Sequence, residues 1–330
     1  MTGRKRKEFT GPFAPMIDLY IKQKQALGYD YLGGYNIFIV FDEFSKKYDV
    51  KNYELTEDIV IDWAKKRLNE GDTHRSARIA HIQHFANFLN TQVHSGYVSP
   101  KQLYHYPQHN AYVFTKEEMK KIFNVLDEME YNPCSPYKHI SFPLLYRMLY
   151  VCGFRISELL NLTLAKVDNK QGIIHIVNGK NGNERSVPMA ESLAKRCKDY
   201  TSEMHKGHDG NYPFFYKKDG TSYCVSNIEK NFREVLWLAG IPYYGPKTGP
   251  RLHDIRHTFI CHRLNTWARE GIDITTMLPV LSKYVGHNSV HSTEYYLKLT
   301  AEAYPDILDK IEEYSGYVFP EIGGDIYEDQ

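Results

Sequence analysis

The chain has 330 residues, of which 42% are hydrophobic and 25% charged, a composition typical of a folded globular protein with one or two cores. It contains no run of about 18 apolar residues, and no apolar stretch follows the basic N-terminus, so we expect neither a membrane span nor a signal peptide. The five cysteines are odd in number and form no Cys-x-x-Cys pair, which argues against a disulfide framework and a zinc ribbon. The expected location is the cytoplasm.

The formal net charge of +1 conceals an uneven distribution. Residues 301–330 carry nine acidic residues and one lysine, which leaves residues 1–300 with a charge of +9. A basic body with an acidic tail permits nucleic-acid binding without proving it, because many solvated surfaces carry as much charge. The basic run over residues 4–7 has two interpretations, a disordered tail or an arm that contacts phosphates.

Hydrophobic periodicity predicts four helices in the first third of the chain, over residues 14–28, 35–48, 57–70 and 73–92. Thr56 and the two acids after it mark the start of the third helix. Together the helices predict a small bundle, the domain over residues 1–100. Five basic residues of this domain are candidates for phosphate contact, with an ordinary solvated face as the simpler interpretation: Lys65, Lys66, Arg67, Arg75 and Arg78.

The next segment, residues 99–114, lacks periodicity and contains two prolines, which predicts an interdomain linker, placed at residues 101–114. Capping-box patterns then predict helix starts at Thr115 and Ser226. Two β-rich runs, IIHIV and ERSVPM, predict a β-hairpin joined through residues 179–183. The predicted fold is therefore mainly α with a small antiparallel β-sheet, in which an α+β domain over residues 115–300 follows the N-terminal helical bundle.

Side chains capable of phosphate chemistry concentrate in this second domain. Arg155 follows a glycine that would end one helix, and it begins the next helix, where free backbone amides also favour an anion. Lys180 lies at the hairpin turn. His253 and Arg256 lie three residues apart on a predicted helix, so their side chains share one face.

The same domain continues with His287, which directly follows a predicted glycine helix stop at Gly286. A tyrosine pair, Tyr295 and Tyr296, comes eight and nine residues later. Guanidinium groups, imidazoles and a phenol brought together can hold a phosphodiester and attack it covalently.

Each of these residues also has an ordinary structural interpretation. Arg155 alone is what an exposed helix start contains, and Lys180 is what a polar turn contains. His253 and His257 form an H-x-x-x-H pair like the zinc ligands of a metalloprotease, but Asp254 replaces the glutamate which that motif requires and no third ligand follows. No metal is therefore expected. His257 is interpreted as a packing or supporting residue, and Asp254 as a residue that orients a neighbouring base.

The order of these residues resembles that of the tyrosine recombinase, or phage integrase, family. The family pattern of Arg, Lys, His-x-x-Arg, His or Trp, and Tyr is matched by Arg155, Lys180, His253, Arg256, His287 and Tyr296. Glu158 in the RISE segment and the Gly-His pair before the tyrosines extend the match. The hairpin departs from the family, since it reads GKNGNER where a tighter turn is usual.

The resemblance implies a site-specific DNA recombinase, the integrase or transposase of a mobile element, which cuts and rejoins DNA through a covalent 3′-phosphotyrosine. Successive helical residues point about 100° apart, so only one of the two tyrosines can face the phosphate. The family spacing of nine residues after His287 selects Tyr296, and Tyr295 is then expected to pack on the domain.

The resemblance also assigns a role to each remaining residue. Arg155 and Arg256 would grip the non-bridging oxygens and hold the charge of the transition state. His253 would accept or position the phenol proton, Lys180 would protonate the leaving 5′-oxygen, and His287 would donate a hydrogen bond to the phosphate. No cofactor is expected.

The implied partners are double-stranded DNA and three further copies of the chain, in a homotetramer on two DNA sites, with an accessory directionality protein. Residues 301–330 are expected to form an amphipathic acidic helix and tail, which packs on its own domain or, as the resemblance suggests, docks on a neighbouring protomer. Two alternatives stay open: a type IB topoisomerase with the same chemistry, and a DNA-binding regulator without activity. A pure binder has no need of the phenol or the hairpin lysine, which argues against the regulator.

Overall fold

The chain divides into two compact units, Met1–Gln108 and His109–Gln330. The structure, a computed structural model, describes residues 7–29, 31–93, 95–99, 111–177, 184–245, 249–287 and 295–300. Most of the predicted linker over residues 101–114 and all of the acidic segment over residues 301–330 lie outside the described residues. In the described part of the chain, no helix has both the length and the apolarity needed to cross a membrane.

The described residues of the N-terminal unit form four helices, α1 (Ala14–Ala26), α2 (Leu32–Ser45), α3 (Glu57–Ala64) and α4 (Asp72–Gln92). They enclose an aromatic core whose side chains meet mostly edge to face. The largest of these buried rings are Phe13, Tyr20, Phe38, Phe41, Trp63 and Phe85. The four predicted helices are therefore present, with shifted ends.

The third helix ends at Ala64 and not at residue 70 as predicted, because its end is bound by a buried arginine. Arg78, 1% exposed, donates to the carbonyl of Lys65 at 2.7 Å and to both carboxylate oxygens of Glu70 at 2.6 and 2.8 Å. Arg75 donates to the carbonyl of Ala64 at 2.9 Å. These side chains satisfy carbonyls that a continuing helix would have used. The suggested phosphate contact by Arg78 is wrong, since its donors point inward.

The C-terminal unit is mainly helical. Its helices are α5 (Lys116–Asp127), α6 (Lys138–Cys152), α7 (Ile156–Leu160), α8 (Glu191–Met204), α9 (Val225–Leu238), α10 (Asp254–Arg269) and α11 (Ile274–Val285), with a further helical segment over residues 295–300. Helix α6 is central and packs against α5, α8 and α10. A second apolar cluster joins α10, α11 and the segment 295–300, which fixes the position of that last segment.

The described residues of the unit also form a small sheet, with strands β1 (Val167–Asp168), β2 (Ile173–Ile176) and β3 (Arg185–Pro188) in antiparallel order β1-β2-β3. The predicted hairpin is confirmed as β2 and β3, and its turn over residues 178–183 lies outside the described residues. The fold class, mainly α with a small antiparallel sheet, is likewise confirmed.

Of the two predicted capping boxes, the one at Thr115 is present. The one at Ser226 is wrong, because α9 already begins at Val225 and Cys224 occupies the N-cap position.

Candidate active site

The first predicted arginine lies at the corner between α6 and α7. Gly153 ends α6 in the left-handed conformation, with φ of 61°, and a Cβ there would overlap the ring of Phe259. Two residues later, Arg155 occupies the N-cap of α7, where its backbone N–H donates to Glu158 Oε2 at 2.9 Å. Its guanidinium donates to Glu158 Oε1 and to the carbonyl of Gly286, both at 3.0 Å. The corner thus directs Arg155 toward the end of α11.

Glu158 is shared with a second arginine, Arg185 at the start of β3, which sequence reasoning did not select. Arg185 donates to both carboxylate oxygens of Glu158, each at 2.9 Å, and to the carbonyl of Tyr284 at 2.8 Å. Burial by itself would raise the pKa of Glu158, but the hydrogen bonds and charge of Arg185 outweigh it and hold this pKa below its usual value. Glu158 therefore remains an anion between two guanidinium groups.

The other predicted arginine, Arg256, projects from the first turn of α10 and is buried. It donates to the carbonyl of Gly153 at 2.6 Å and to that of Val285 at 2.7 Å. Burial, and then the neighbouring charge of Arg155, lower the pKa of Arg256 to about 10. The guanidinium is still charged at neutral pH.

The three arginines converge on the C-terminal end of α11. Arg185 binds the carbonyl of Tyr284, Arg256 that of Val285 and Arg155 that of Gly286, three successive residues. The last carbonyls of a helix lack intrahelical partners and carry partial negative charge, so cations are favoured there. The helix end gathers three positive charges that are distant in sequence.

The predicted nucleophile, Tyr296, faces this cluster from the helical segment 295–300. Its side chain is 4% exposed, and its hydroxyl oxygen lies 2.8 Å from Nδ1 of His257. Burial raises the pKa of Tyr296 to about 12, against an opposing effect of the Arg256 charge. The neighbouring Tyr295 is 46% exposed and contacts Tyr296 edge to face, so the expectation that Tyr295 packs on the domain is wrong.

His287 follows the left-handed cap of α11 at Gly286, as predicted, and its backbone N–H returns to the carbonyl of Ser282 at 2.9 Å. The imidazole lies nearly parallel to the ring of Tyr296, with centroids 5.9 Å apart. Burial, followed by the charges of Arg256 and Arg155, lowers the pKa of His287 to about 3. The ring is therefore neutral at physiological pH, and it lies within the field of both arginines.

The remaining predicted histidine, His253, is exposed at the N-cap of α10, and its ring meets the ring of His257 edge to face at 4.8 Å. Between them Asp254 is buried and accepts the backbone N–H of Arg251 at 2.7 Å. Burial raises the pKa of Asp254 to about 6. In this state of the protein it is His257, one turn further along α10, that contacts the phenol.

Five of the six predicted site residues thus come from one region of the C-terminal unit: Arg155, His253, Arg256, His287 and Tyr296. The sixth, Lys180, lies outside the described residues. Sequence reasoning missed Arg185 and gave His257 only a supporting role. The H-x-x-x-H spacing was the available signal for His257, because it places both rings on one helix face. Within the described ranges, no three His, Cys, Asp or Glu side chains are grouped so that they could hold a metal ion.

The helical fold with its small antiparallel sheet is that of tyrosine recombinases, a class of DNA strand transferases. The sequence model described as the phage integrase family matches residues 112–303, more than half of the chain, and the chain belongs to that family.

Two relatives illustrate the range of similarity. A putative integrase/recombinase, y4rB of Sinorhizobium fredii (strain NBRC 101917 / NGR234), is 26% identical over 307 residues, which cover 91% of this chain and 97% of the relative. The tyrosine recombinase XerA of Pyrococcus furiosus is 28% identical over 198 residues, which cover 59% of this chain and 60% of the relative.

Solved structures share the fold at lower identity. The Tn1549 transposon integrase in complex with circular intermediate DNA superposes with a TM-score of 0.60 at 17% identity, over 85% of this chain and 94% of that one. The XerH site-specific recombinase, bound to palindromic difH substrate after cleavage, gives a TM-score of 0.60 at 16% identity, over 84% of this chain and 80% of that one. A lambda integrase tetramer bound to a Holliday junction gives a TM-score of 0.60 at 12% identity, over 86% and 76%.

Proposed function

We propose that this recombinase integrates or excises a mobile element, with Tyr296 as the nucleophile that cuts and rejoins DNA. The observation that carries the assignment is the buried Tyr296 hydroxyl, 2.8 Å from a histidine nitrogen on the helix that also supplies Arg256. A phenol with a pKa near 12 is a poor nucleophile at neutral pH, so it needs an adjacent base and nearby positive charge. Both are present.

In the proposed reaction the Tyr296 oxygen forms a bond to phosphorus as the bond from phosphorus to the 5′-oxygen breaks. The products are a 3′-phosphotyrosine and a free 5′-hydroxyl. The phenol proton passes to a histidine, His257 or His253, and Lys180 supplies a proton to the leaving oxygen. Because one phosphodiester replaces another, attack by a second 5′-hydroxyl reverses the step on a new strand. The chemistry requires no nucleotide cofactor.

The arginines have the electrostatic role in this proposal. Arg155 and Arg256 would bind the non-bridging oxygens, and their attachment to the end of α11 fixes them before DNA arrives. Such prior organisation lowers the reorganisation needed in the transition state. His287, neutral and beside both arginines, would contribute a hydrogen bond to the same phosphate.

Double-stranded DNA is the proposed substrate, in agreement with the charge of +9 over residues 1–300 and with the DNA in the similar structures. We further propose a homotetramer on two DNA sites, a proposal supported by the similar lambda integrase, which is a tetramer bound to a Holliday junction. The acidic segment 301–330 would then dock on the next protomer.

A groove on the C-terminal unit is suited to receive this segment. Two adjoining cavities share the residues Val151, Phe259 and Arg263, and the larger is also lined by Trp267 and Leu281. An amphipathic helix needs such an apolar surface, and its acidic face would approach the exposed Arg263. We therefore assign the groove to the acidic segment of a second copy.

A covalent-adduct assay tests the nucleophile. The parent protein and two variants, Tyr296→Phe and Tyr295→Phe, are incubated with a nicked duplex recovered from a random pool by selection for binding. All three should bind the duplex, whereas Tyr296→Phe alone should form no adduct that survives denaturation. An adduct mapped to Tyr295 by peptide sequencing would overturn the assignment.

Two further readouts separate the alternatives. A recombinase exchanges strands between two duplexes, whereas a type IB topoisomerase relaxes a supercoiled circle without exchange. A regulator without activity would bind the duplex and leave it intact.

A further inference from the structure

The burial and the hydrogen bonds of Arg185 indicate that it acts through neighbouring residues and does not bind DNA directly. Its side chain is 10% exposed, against 21% for Arg155. Among the described residues, its guanidinium donates to the two oxygens of Glu158 and the carbonyl of Tyr284, and it lies 5.8 Å from the Phe154 ring. The Glu158 carboxylate compensates its charge, so Arg185 offers little to an incoming phosphate.

The carboxylate of Glu158 is fully occupied as a result. Oε1 accepts from the guanidinium groups of Arg155 and Arg185, and Oε2 accepts from Arg185 and from the backbone N–H of Arg155. A carboxylate prefers to grip a guanidinium at two points. Arg185 takes that two-point arrangement, which leaves Arg155 with a single side-chain bond to Glu158.

Arg155 therefore retains donors that a competing carboxylate would otherwise take. A guanidinium has five N–H donors, and within the described residues Arg155 uses its side chain for one bond to Glu158 and one to Gly286. If Arg185 were absent, Glu158 could bind the Arg155 guanidinium with both oxygens and occupy donors that would otherwise bind a phosphate.

We propose that Arg185 is a positioning residue for strand transfer: by holding Glu158 and the Tyr284 carbonyl, it keeps the remaining donors of Arg155 available and aimed at the scissile phosphate. This inference depends on the proposed function, because it assigns Arg155 to the phosphate. The same contacts attach β3 to the end of α11. They therefore hold Arg155 and His287 in a fixed position relative to each other.

The test compares single-turnover cleavage on two substrates. One is the ordinary selected duplex, and the other carries a methylphosphonate at the scissile position, where a methyl group replaces one non-bridging oxygen and removes the negative charge. Arg185→Gln should slow cleavage of the phosphodiester on the order of 100-fold. Its deficit on the uncharged methylphosphonate should be about tenfold or less, since less charge remains for Arg155 to stabilise.

A second substitution separates positioning from simple structural support. In the double variant Arg185→Gln/Glu158→Gln the competing carboxylate is gone, so phosphodiester cleavage should recover by about tenfold relative to Arg185→Gln. Removing the stranded carboxylate also relieves a merely structural defect, but that relief would raise cleavage of both substrates alike, whereas freeing Arg155 should raise cleavage of the phosphodiester more than that of the methylphosphonate. Equal deficits on the two substrates together with no recovery in the double variant would overturn the proposal, as would full activity of Arg185→Gln.

The matched control is Arg147→Gln. Arg147 forms the same two-point pair with Asp127, at 2.8 and 2.6 Å, in the same unit. The Arg147→Gln variant should cleave both substrates like the parent. If circular dichroism shows that Arg185→Gln does not fold, Arg185→Lys is measured in the same way. The lysine ammonium still pairs with Glu158 but cannot bind both of its oxygens in the two-point geometry of a guanidinium. Failure of the parent to form an adduct would reject the proposed function. If the parent cleaves DNA and the Arg185 variants cleave it at the parental rate, this inference alone is rejected.

Discussion

At the scale of single residues, the site combines charges that differ in how they are compensated. Arg155 and Arg185 share one carboxylate, Glu158, whereas the contacts of Arg256 within the described chain are backbone carbonyls. Burial, and then the charge of Arg155, lower the pKa of Arg256 to about 10, and the carbonyl dipoles do not offset these effects. A phosphate would supply the missing anion, so the site is electrostatically prepared for its substrate.

The contact between His257 and Tyr296 predicts a kinetic effect. His257→Phe keeps a ring in place but removes the nitrogen that lies 2.8 Å from the phenol. We expect single-turnover cleavage to fall about 100-fold, the usual contribution of a general base, with DNA binding unchanged.

The control for this prediction lies on the same helix. His262→Phe removes another histidine–tyrosine hydrogen bond of 2.7 Å, to Tyr150, away from the nucleophile. It should affect stability and leave cleavage near the parental rate. If His253→Phe lowers the rate and His257→Phe does not, the proton acceptor is His253, as sequence reasoning expected.

The low pKa of His287 predicts how stability depends on pH. Its pKa is about 3 in the folded protein and about 6.5 when unfolded, so below pH 6.5 the unfolded chain takes up the proton first. The contribution of His287 to stability is therefore complete above about pH 6.5 and declines as the pH falls toward 3.

Melting temperatures of the parent and of His287→Gln check this sign. Between about pH 7.5 and about pH 4.5 the parent should lose a few degrees more than the variant, which has no titrating ring at this position. If the melting temperatures of the two proteins change with pH in parallel, the surroundings do not lower the pKa of the His287 imidazole.

At the scale of elements, the C-terminal end of α11 organises the site. The left-handed Gly286 ends the helix, and carbonyls 284 to 286 then each receive one arginine. A Cβ on Gly286 would lie 2.7 Å from Nη1 of Arg185, in addition to the strain of its φ of +71°. The glycine is thus required both by the turn and by the arginine cluster.

Gly286→Ala tests this double requirement. The left-handed backbone should cost about 1–2 kcal/mol of stability, and displacement of Arg185 should in addition slow cleavage about tenfold or more. The matched control is Gly271→Ala at the end of α10, with φ of +70° and no atom within 4 Å of the added Cβ. It should show a similar loss of stability in urea denaturation with normal cleavage. Equal cleavage by the two variants would contradict a specific role for the end of α11.

The elements also show what sequence reasoning can and cannot reach. The helices and the β2–β3 hairpin follow from local periodicity and turn residues, which one segment carries by itself. The early end of α3 depends on Arg78 from the next helix, and the position of Arg185 depends on three separate segments. Bonds from side chains to distant backbone carbonyls leave no periodic signal, so these features required the structure.

At the scale of the whole molecule, charge and apolar surface are divided between parts of the chain. Residues 1–300 carry +9, and the acidic segment 301–330 carries nine acids and one lysine. The groove around Phe259 and Arg263 on the C-terminal unit provides apolar surface and positive charge together. This complementarity favours docking of the acidic segment on protein and disfavours its contact with DNA.

Removing residues 302–330 should therefore uncouple assembly from DNA binding. The truncated protein keeps its basic surface and its arginine cluster, so we expect normal affinity for a single site in a gel-shift titration. If this segment bridges protomers as proposed, the complex of two duplexes and strand exchange should both be lost, as read by native gel and by recombinant product. A truncated protein that recombines at the parental rate, or one that no longer folds, would contradict docking in trans.

The receiving surface can be tested without shortening the chain. Arg263→Glu places a negative charge in the groove, where it would repel the acidic segment, and should lower strand exchange about tenfold or more while single-site cleavage persists. Arg269→Glu makes the same change at another exposed position of α10 outside the groove lining, and it should recombine like the parent. If both variants lose exchange equally, the effect is one of net charge and the groove is not the docking site. Loss in Arg263→Glu alone would place the contact between protomers at this groove.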